Sequence, residues 1–135
     1  MKPTEKQLNF FSRNDLQSPP TKGACTRMIN FILRAKGNGP TGVEERIAYV
    51  REQQKRWIGQ TIRYTGEVEG PPDPLGVVDY LDAKDMNTMV GLNTCITEET
   101  GKKFTSHPLS AHVTDGKFGT MTYGLGGIEI VDDEM

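Results

Sequence analysis

His107 and His112 are the only histidines in the chain, so any imidazole base or imidazole zinc ligand would have to be one of them. They lie five residues apart on either side of Pro108, and on a strand this odd spacing points the two rings to opposite faces. Cys95 could act as a nucleophile beside one of them, but its neighbours do not resemble an activating helix N-terminus. We therefore expect no catalytic residue and no enzymatic activity.

Three carboxylates, Asp79, Asp82 and Asp85, recur at every third position and could offer oxygen ligands to Mg²⁺ or Ca²⁺. A calcium-binding EF-hand loop instead places its first ligands at every second position, a glycine sixth and a glutamate last. The two cysteines, Cys25 and Cys95, lack the paired spacing of a zinc site, and we expect both to be reduced. The sequence therefore predicts no metal and no other cofactor.

The formal net charge of −2 is divided unevenly along the chain. Residues 1–59 carry 11 lysines and arginines against 5 acidic residues, a net charge of +6, whereas residues 60–135 carry 5 against 13, a net charge of −8. Such a division indicates either a basic face that meets nucleic acid or an acidic protein, or a basic helical layer packed on an acidic sheet. The sequence supports the two interpretations about equally.

Two sets of charged residues follow from this division. The cations that could contact phosphates lie on the second and third predicted helices and are Lys22, Arg27, Arg51, Lys55 and Arg56. The carboxylates that could instead bind a basic protein partner are Glu67, Glu69, Asp79, Asp82 and Asp85. Trp57 adjoins the cations and could stack on a base, but such a tryptophan more often belongs to the core, which is the interpretation we favour.

The apolar residues recur at helical spacing before Gly59 and occur in short β-branched runs after it. Thr4 and Gln7 match a capping box, Thr21 is a suitable N-cap, and Thr41 begins a second capping box. These signals predict helices over 5–12, 22–36 and 42–58, the last ended by Gly59 as a left-handed cap. The predicted strands cover 60–65, 75–81, 88–96, 104–105 with 110–113, 119–123 and 128–131.

The order of these elements predicts an α+β fold in which three N-terminal helices pack on a small antiparallel β-barrel or bent sheet. The helical, basic part spans 1–59 and the antiparallel, acidic part spans 60–135. Each part is near the size at which independent stability is marginal, so we expect the two to form one cooperative unit.

The first quarter of the chain resembles a short helix, an extended loop and a second helix. The resemblance is carried by Thr4 and Gln7 within residues 4–11, and by Thr21 and Lys22 at the start of the second helix. Over residues 4–36 this arrangement is similar to SAP-type DNA-binding motifs, which are appended to bacterial and phage DNA-processing proteins. In such modules the basic residues that begin the second helix meet phosphates, which implies that role for Lys22 and, after it, Arg27.

Residues 60–115 resemble, more loosely, an SH3-like barrel. The runs Gly76-Val77-Val78-Asp79-Tyr80 and Met89-Val90-Gly91-Leu92 have the alternation of two adjacent barrel strands, with the polar loop 82–88 between them. Barrels of this class bind RNA, DNA, peptides or other subunits, so the resemblance implies a fold and no single function.

The polar start at residues 1–8 is unlike a signal peptide, and no apolar run approaches the length of a membrane span. We therefore expect a cytoplasmic protein, located in the host cytoplasm if a phage encodes it. The leading hypothesis is a non-enzymatic binding protein that engages nucleic acid or a nucleoprotein assembly through its basic helices. One alternative is an inhibitor or adaptor, of the kind that phages direct against host nucleases or defence complexes, acting through the acidic face. Another is a protein that sequesters a small ligand at the seam between helices and strands.

Overall fold

Three helices precede a set of short strands in the computed structural model, which describes residues 1–34, 42–65, 74–83, 95–96, 103–104 and 108–131. The helices are α1 (Glu5–Arg13), α2 (Lys22–Arg34) and α3 (Val43–Trp57). The strands are β1 (Thr61–Tyr64), β2 (Gly76–Val77), β3 (Tyr80–Ala83), β4 (Cys95–Ile96), β5 (Lys103–Phe104), β6 (Leu109–Gly116), β7 (Gly119–Gly124) and β8 (Ile128–Ile130). A short 3₁₀ turn, Leu125–Gly127, joins β7 to β8. This order confirms the predicted α+β class.

The start of α1 has the predicted capping box. The hydroxyl of Thr4 accepts a hydrogen bond from the backbone N–H of Gln7 at 3.1 Å, and the amide oxygen of Gln7 accepts one from the N–H of Thr4 at 3.0 Å. These two bonds satisfy donors that the first turn of a helix leaves without an intrahelical partner.

The start of α3 differs from the prediction. Gly42 is the N-cap and makes no side-chain cap hydrogen bond, so the prediction of Thr41 as the N-cap of a capping box with Glu44 is wrong, and Thr41 itself lies outside the described residues. The end of α3 is as predicted, because Gly59 has φ +84°, a left-handed conformation that glycine adopts without steric cost. The Gly59 N–H donates to the carbonyl of Val78 at 2.9 Å, which fixes the helix end against the strands.

The strands form two antiparallel sheets of three strands, in the orders β2-β1-β8 and β3-β6-β7, and a two-stranded ribbon of β4 and β5. Over the described ranges these strands do not close into a barrel. The predicted strand 75–81 is two strands in different sheets, because Val78 donates to Gln60 beside the first sheet while Asp79 donates to His112 in the second. Most of the predicted strand 88–96 lies outside the described residues.

The core contains side chains from both the helices and the sheets. Phe11, Phe31 and Trp57 from the helices are buried in the same cluster as Leu81 and Leu109 from the second sheet. Trp57 is 5% exposed, which supports its assignment to the core and leaves its ring unavailable for stacking on a base. The apolar face of α2 packs against β3, so the helices form a layer on the second sheet.

Candidate nucleic-acid interface

Three of the five predicted phosphate-binding cations lie at helix ends and are exposed. Lys22 is the first residue of α2, and Lys55 and Arg56 belong to the last turn of α3. Among the residues that the structure describes, none of the three has a carboxylate within ion-pair distance. The guanidinium of Arg56 lies over the Trp57 ring, 5.2 Å from its centroid. These three side chains therefore keep their charge available to an external anion.

Arg27 has a different environment, because its guanidinium is bonded to the acidic part of the chain. Its Nε donates to Asp82 Oδ1 at 3.0 Å and its Nη2 donates to Asp82 Oδ2 at 2.8 Å. This two-bond geometry matches the planar fork of arginine to a carboxylate. The Asp82 side chain is 14% exposed, so the pair connects α2 to β3 at a partly desolvated position.

Arg51 is also engaged within the protein, where it caps the end of α1. It donates to the carbonyl of Asn14 at 2.5 Å and to the carbonyl of Asp15 at 3.3 Å, and its Nε lies 3.6 Å from the Asp15 carboxylate. Carbonyls at a helix C-terminus lack intrahelical donors and favour a cation. Asp15 itself has φ +55°, so the chain turns sharply at the point that Arg51 holds.

Gln54 strengthens the same connection one turn further along α3. Its amide oxygen accepts from the N–H of Gln17 at 2.8 Å and its amide nitrogen donates to the carbonyl of Gln17, also at 2.8 Å. Gln54 is buried. The α1–α2 connection is thereby fixed to α3, and the exposed cations in the last turn of α3 have a defined place relative to the loop that leads into Lys22.

Two further cations on the outer surface of the helices were missed by the sequence reasoning. Lys6 and Arg13 of α1 are exposed and line a groove of about 280 Å³ between α1 and α2. The remaining lining residues are Thr4, Gln7, Phe10, Ile29 and Leu33. A signal was present, since Lys6, Phe10 and Arg13 follow helical spacings of four and three. The groove lies between two helices.

The carboxylates predicted to bind a basic protein partner form bonds within the protein where the structure describes them. The Asp79 carboxylate accepts hydrogen bonds from the N–H of Thr114, at 2.7 Å, and from the Thr114 hydroxyl. It also lies 3.7 Å from His112 Nδ1, while the His112 ring stacks on Tyr80 with centroids 4.4 Å apart. Asp82 is bonded to Arg27, as described above. Glu67, Glu69 and Asp85 lie outside the described residues.

Of the three residues weighed for catalysis, His112 is the one whose side chain the structure describes. His112 lies beside Asp79 on the second sheet, whereas His107 and the side chain of Cys95 lie outside the described residues. The Cys25 thiol is buried and donates to the carbonyl of Pro19 at 3.3 Å, and burial raises the pKa of this thiol. The described side chains contain no group of three or more histidine, cysteine or acidic residues placed to hold a metal ion.

None of the helices described here combines the length and apolar character needed to span a membrane. No protein-family model, no curated protein and no solved structure matches this chain.

Proposed function

We propose that the helical layer, defined as α1, α2 and α3, binds the phosphate backbone of nucleic acid through Lys22, Lys55 and Arg56. The observation that carries this proposal is a difference between the predicted cations and the predicted carboxylates in their bonding within the protein. These three cations are exposed without a carboxylate partner in the described parts of the chain, whereas the described acidic residues of the rival surface, Asp79 and Asp82, are bonded internally.

The chemistry of these side chains favours phosphate over base recognition. Lysine presents a mobile ammonium that neutralises a phosphate as a point charge, and the arginine fork can bond two phosphate oxygens. Burial of Trp57 removes the aromatic ring beside Arg56 from contact with bases. We therefore expect binding that depends weakly on nucleotide sequence and strongly on salt, because each neutralised phosphate releases counterions.

The arrangement of α1 and α2 supports the same function. A capped short helix, a loop and a second helix that begins with Lys22 are the features on which the similarity to SAP-type motifs rests. That similarity assigns Lys22 to phosphate contact. Arg27, the second residue it assigns, is bonded to Asp82 and acts in the proposal as a connection between α2 and β3.

Fluorescence anisotropy with two DNA duplexes and two RNA strands of unrelated sequence tests the proposal. We expect binding at about 50 mM salt, similar affinities for the two sequences of each kind, and a large loss of affinity at about 200 mM salt. The full chain is used, since the helices share their core with the strands. A chain that binds none of these probes at about 50 mM salt, where counterion release is most favourable, would contradict the proposal.

A further inference from the structure

β7 leaves one edge of the second sheet open. It lies at the end of the order β3-β6-β7, and over the described residues no strand pairs with its outer side. Five of its six residues are exposed, and only Tyr123 is buried. None of the six has a hydrogen bond beyond those to β6 and the bond from the Thr120 hydroxyl to the Thr114 carbonyl. Its outer backbone groups are therefore available to another strand.

The other edges of the two three-stranded sheets carry features that usually prevent edge pairing, whereas the edge of β7 has one such feature, the register shift of β6 opposite Thr120. β2 has two residues, β8 has three including the charged Glu129, and β3 carries Asp82 and packs against α2. By contrast, β7 has six residues, and the chain has no charge and no proline from Phe118 to Ile128. Short strands, charges and prolines are common protections of an edge, so an edge that lacks all three is an expected pairing surface.

The sequence of β7 is complementary to itself in one antiparallel register. A two-fold axis perpendicular to the sheet relates the two strands and keeps each residue on its own face of the sheet. The allowed registers are therefore those in which opposite residues of the two copies lie on the same face. In the register centred on Met121, Thr120 faces Thr122 of the second copy. Gly119 then faces Tyr123 of the second copy, and Met121 faces Met121 of the second copy. Tyr123, the one aromatic residue of β7, is thereby opposite a glycine, and the threonines form β-branched polar pairs.

We infer that β7 pairs antiparallel with β7 of a second copy of this chain, in the register centred on Met121. The β3-β6-β7 sheet of one copy and that of the second copy then form one sheet of six strands. The inner faces of the two sheets lie on the same side. Met121, which is 42% exposed, is partly covered by the same contact. The absence of charge on β7 removes like-charge repulsion from the pairing of identical strands. This surface lies on the strands and does not depend on nucleic-acid binding.

Sedimentation equilibrium of two double variants tests both the occupant and the register. In the proposed register, Thr120→Lys with Thr122→Lys creates two cross-strand pairs of like charge. Thr120→Lys with Thr122→Glu instead creates two cross-strand pairs of a cation and an anion. We expect a concentration-dependent dimer for the natural chain. We expect the dimer dissociation constant of the two-lysine variant to be at least about tenfold higher than that of the lysine and glutamate variant.

Both variants change exposed positions, and the emission of Trp57 reports whether each monomer is folded. The proposal is overturned if the natural chain remains monomeric to several hundred micromolar. It is also overturned if the two double variants dissociate equally, because the register would then not place Thr120 opposite Thr122. As a second measurement, Thr122→Pro removes a β7 N–H and should weaken the dimer, and an unchanged dissociation constant in a folded Thr122→Pro chain excludes β7 as the interface.

Discussion

Arg27 on α2 and Asp82 on β3 form an ion pair in which two arginine nitrogens contact two separate carboxylate oxygens, at 3.0 and 2.8 Å. Arg27 comes from the basic part of the chain and Asp82 from the acidic part, 55 positions apart. A cation of the basic part is therefore paired with a carboxylate of the acidic part inside the fold. The cations that remain exposed, and not the basic part as a whole, define the surface proposed for phosphate binding.

The Arg27 and Asp82 pair should contribute measurably to stability. Arg27→Ala leaves a largely buried carboxylate without its main partner, so we expect the free energy of unfolding to fall by about 1–3 kcal/mol. The matched control is Arg56→Ala, which removes an exposed arginine and should change stability by less than about 0.5 kcal/mol. Urea denaturation followed by circular dichroism gives both values.

A double-mutant cycle separates this pair from other contacts of the two side chains. Arg27→Ala combined with Asp82→Asn should cost less than the sum of the single changes, because the second change removes the carboxylate that the first leaves unpaired. Strictly additive effects would show that the pair has no net coupling in solution.

The helices and sheets should unfold together, because Trp57 of α3 belongs to the core that both share. We expect Trp57 fluorescence and far-ultraviolet circular dichroism of the natural chain to give coincident urea transitions. Trp57→Ala, followed by circular dichroism alone because Trp57 is the only tryptophan, should lower stability by about 3–5 kcal/mol. Two separate midpoints in the natural chain would mean that the parts fold independently.

The buried Cys25 thiol should make stability depend on pH in the alkaline range. Burial raises the pKa of Cys25, so the folded state retains the proton at pH values where the unfolded chain, with a thiol pKa of about 8.5, has lost it. The unfolded state then binds fewer protons, and stability falls as pH rises above about 8.5.

Comparison with Cys25→Ala isolates this contribution. Above about pH 8.5 the stability of the natural chain should fall more steeply with pH than that of the variant, by at most about 1.4 kcal/mol per pH unit. Burial also raises the pKa of Tyr49, Tyr80 and Tyr123, but these residues are common to both proteins and cancel in the difference. Parallel pH profiles of the two proteins would contradict the assignment.

Local signals in the sequence were sufficient to predict the helices. The capping box of Thr4 and Gln7 and the left-handed Gly59 depend on residues within one turn, and both are present. The predicted second capping box is wrong because the N-cap of α3 is Gly42, which has no side chain to accept a hydrogen bond. The sequence predicts one continuous strand over 75–81 because this segment is rich in apolar and β-branched residues and contains no proline. Its division depends on distant hydrogen-bond partners, Gln60 and His112.

The roles of Arg27 and Arg51 could not be read from neighbouring residues. Arg27 finds its carboxylate 55 positions away, and Arg51 finds the carbonyl of Asn14 37 positions away. In the sequence alone both look equivalent to Lys55 and Arg56. The tertiary fold divides the predicted set into cations that stabilise the protein and cations that remain exposed.

The salt dependence of nucleic-acid binding by charge-matched variants tests the central claim most directly. On a plot of log binding constant against log salt concentration, Lys22→Gln, Lys55→Gln and Arg56→Gln should each reduce the magnitude of the slope by about one. The control is Lys117→Gln, which removes an exposed cation from the turn between β6 and β7 and should leave the slope unchanged. Three helix variants that keep the natural slope, or a Lys117→Gln variant that lowers it equally, would contradict binding through the helical layer.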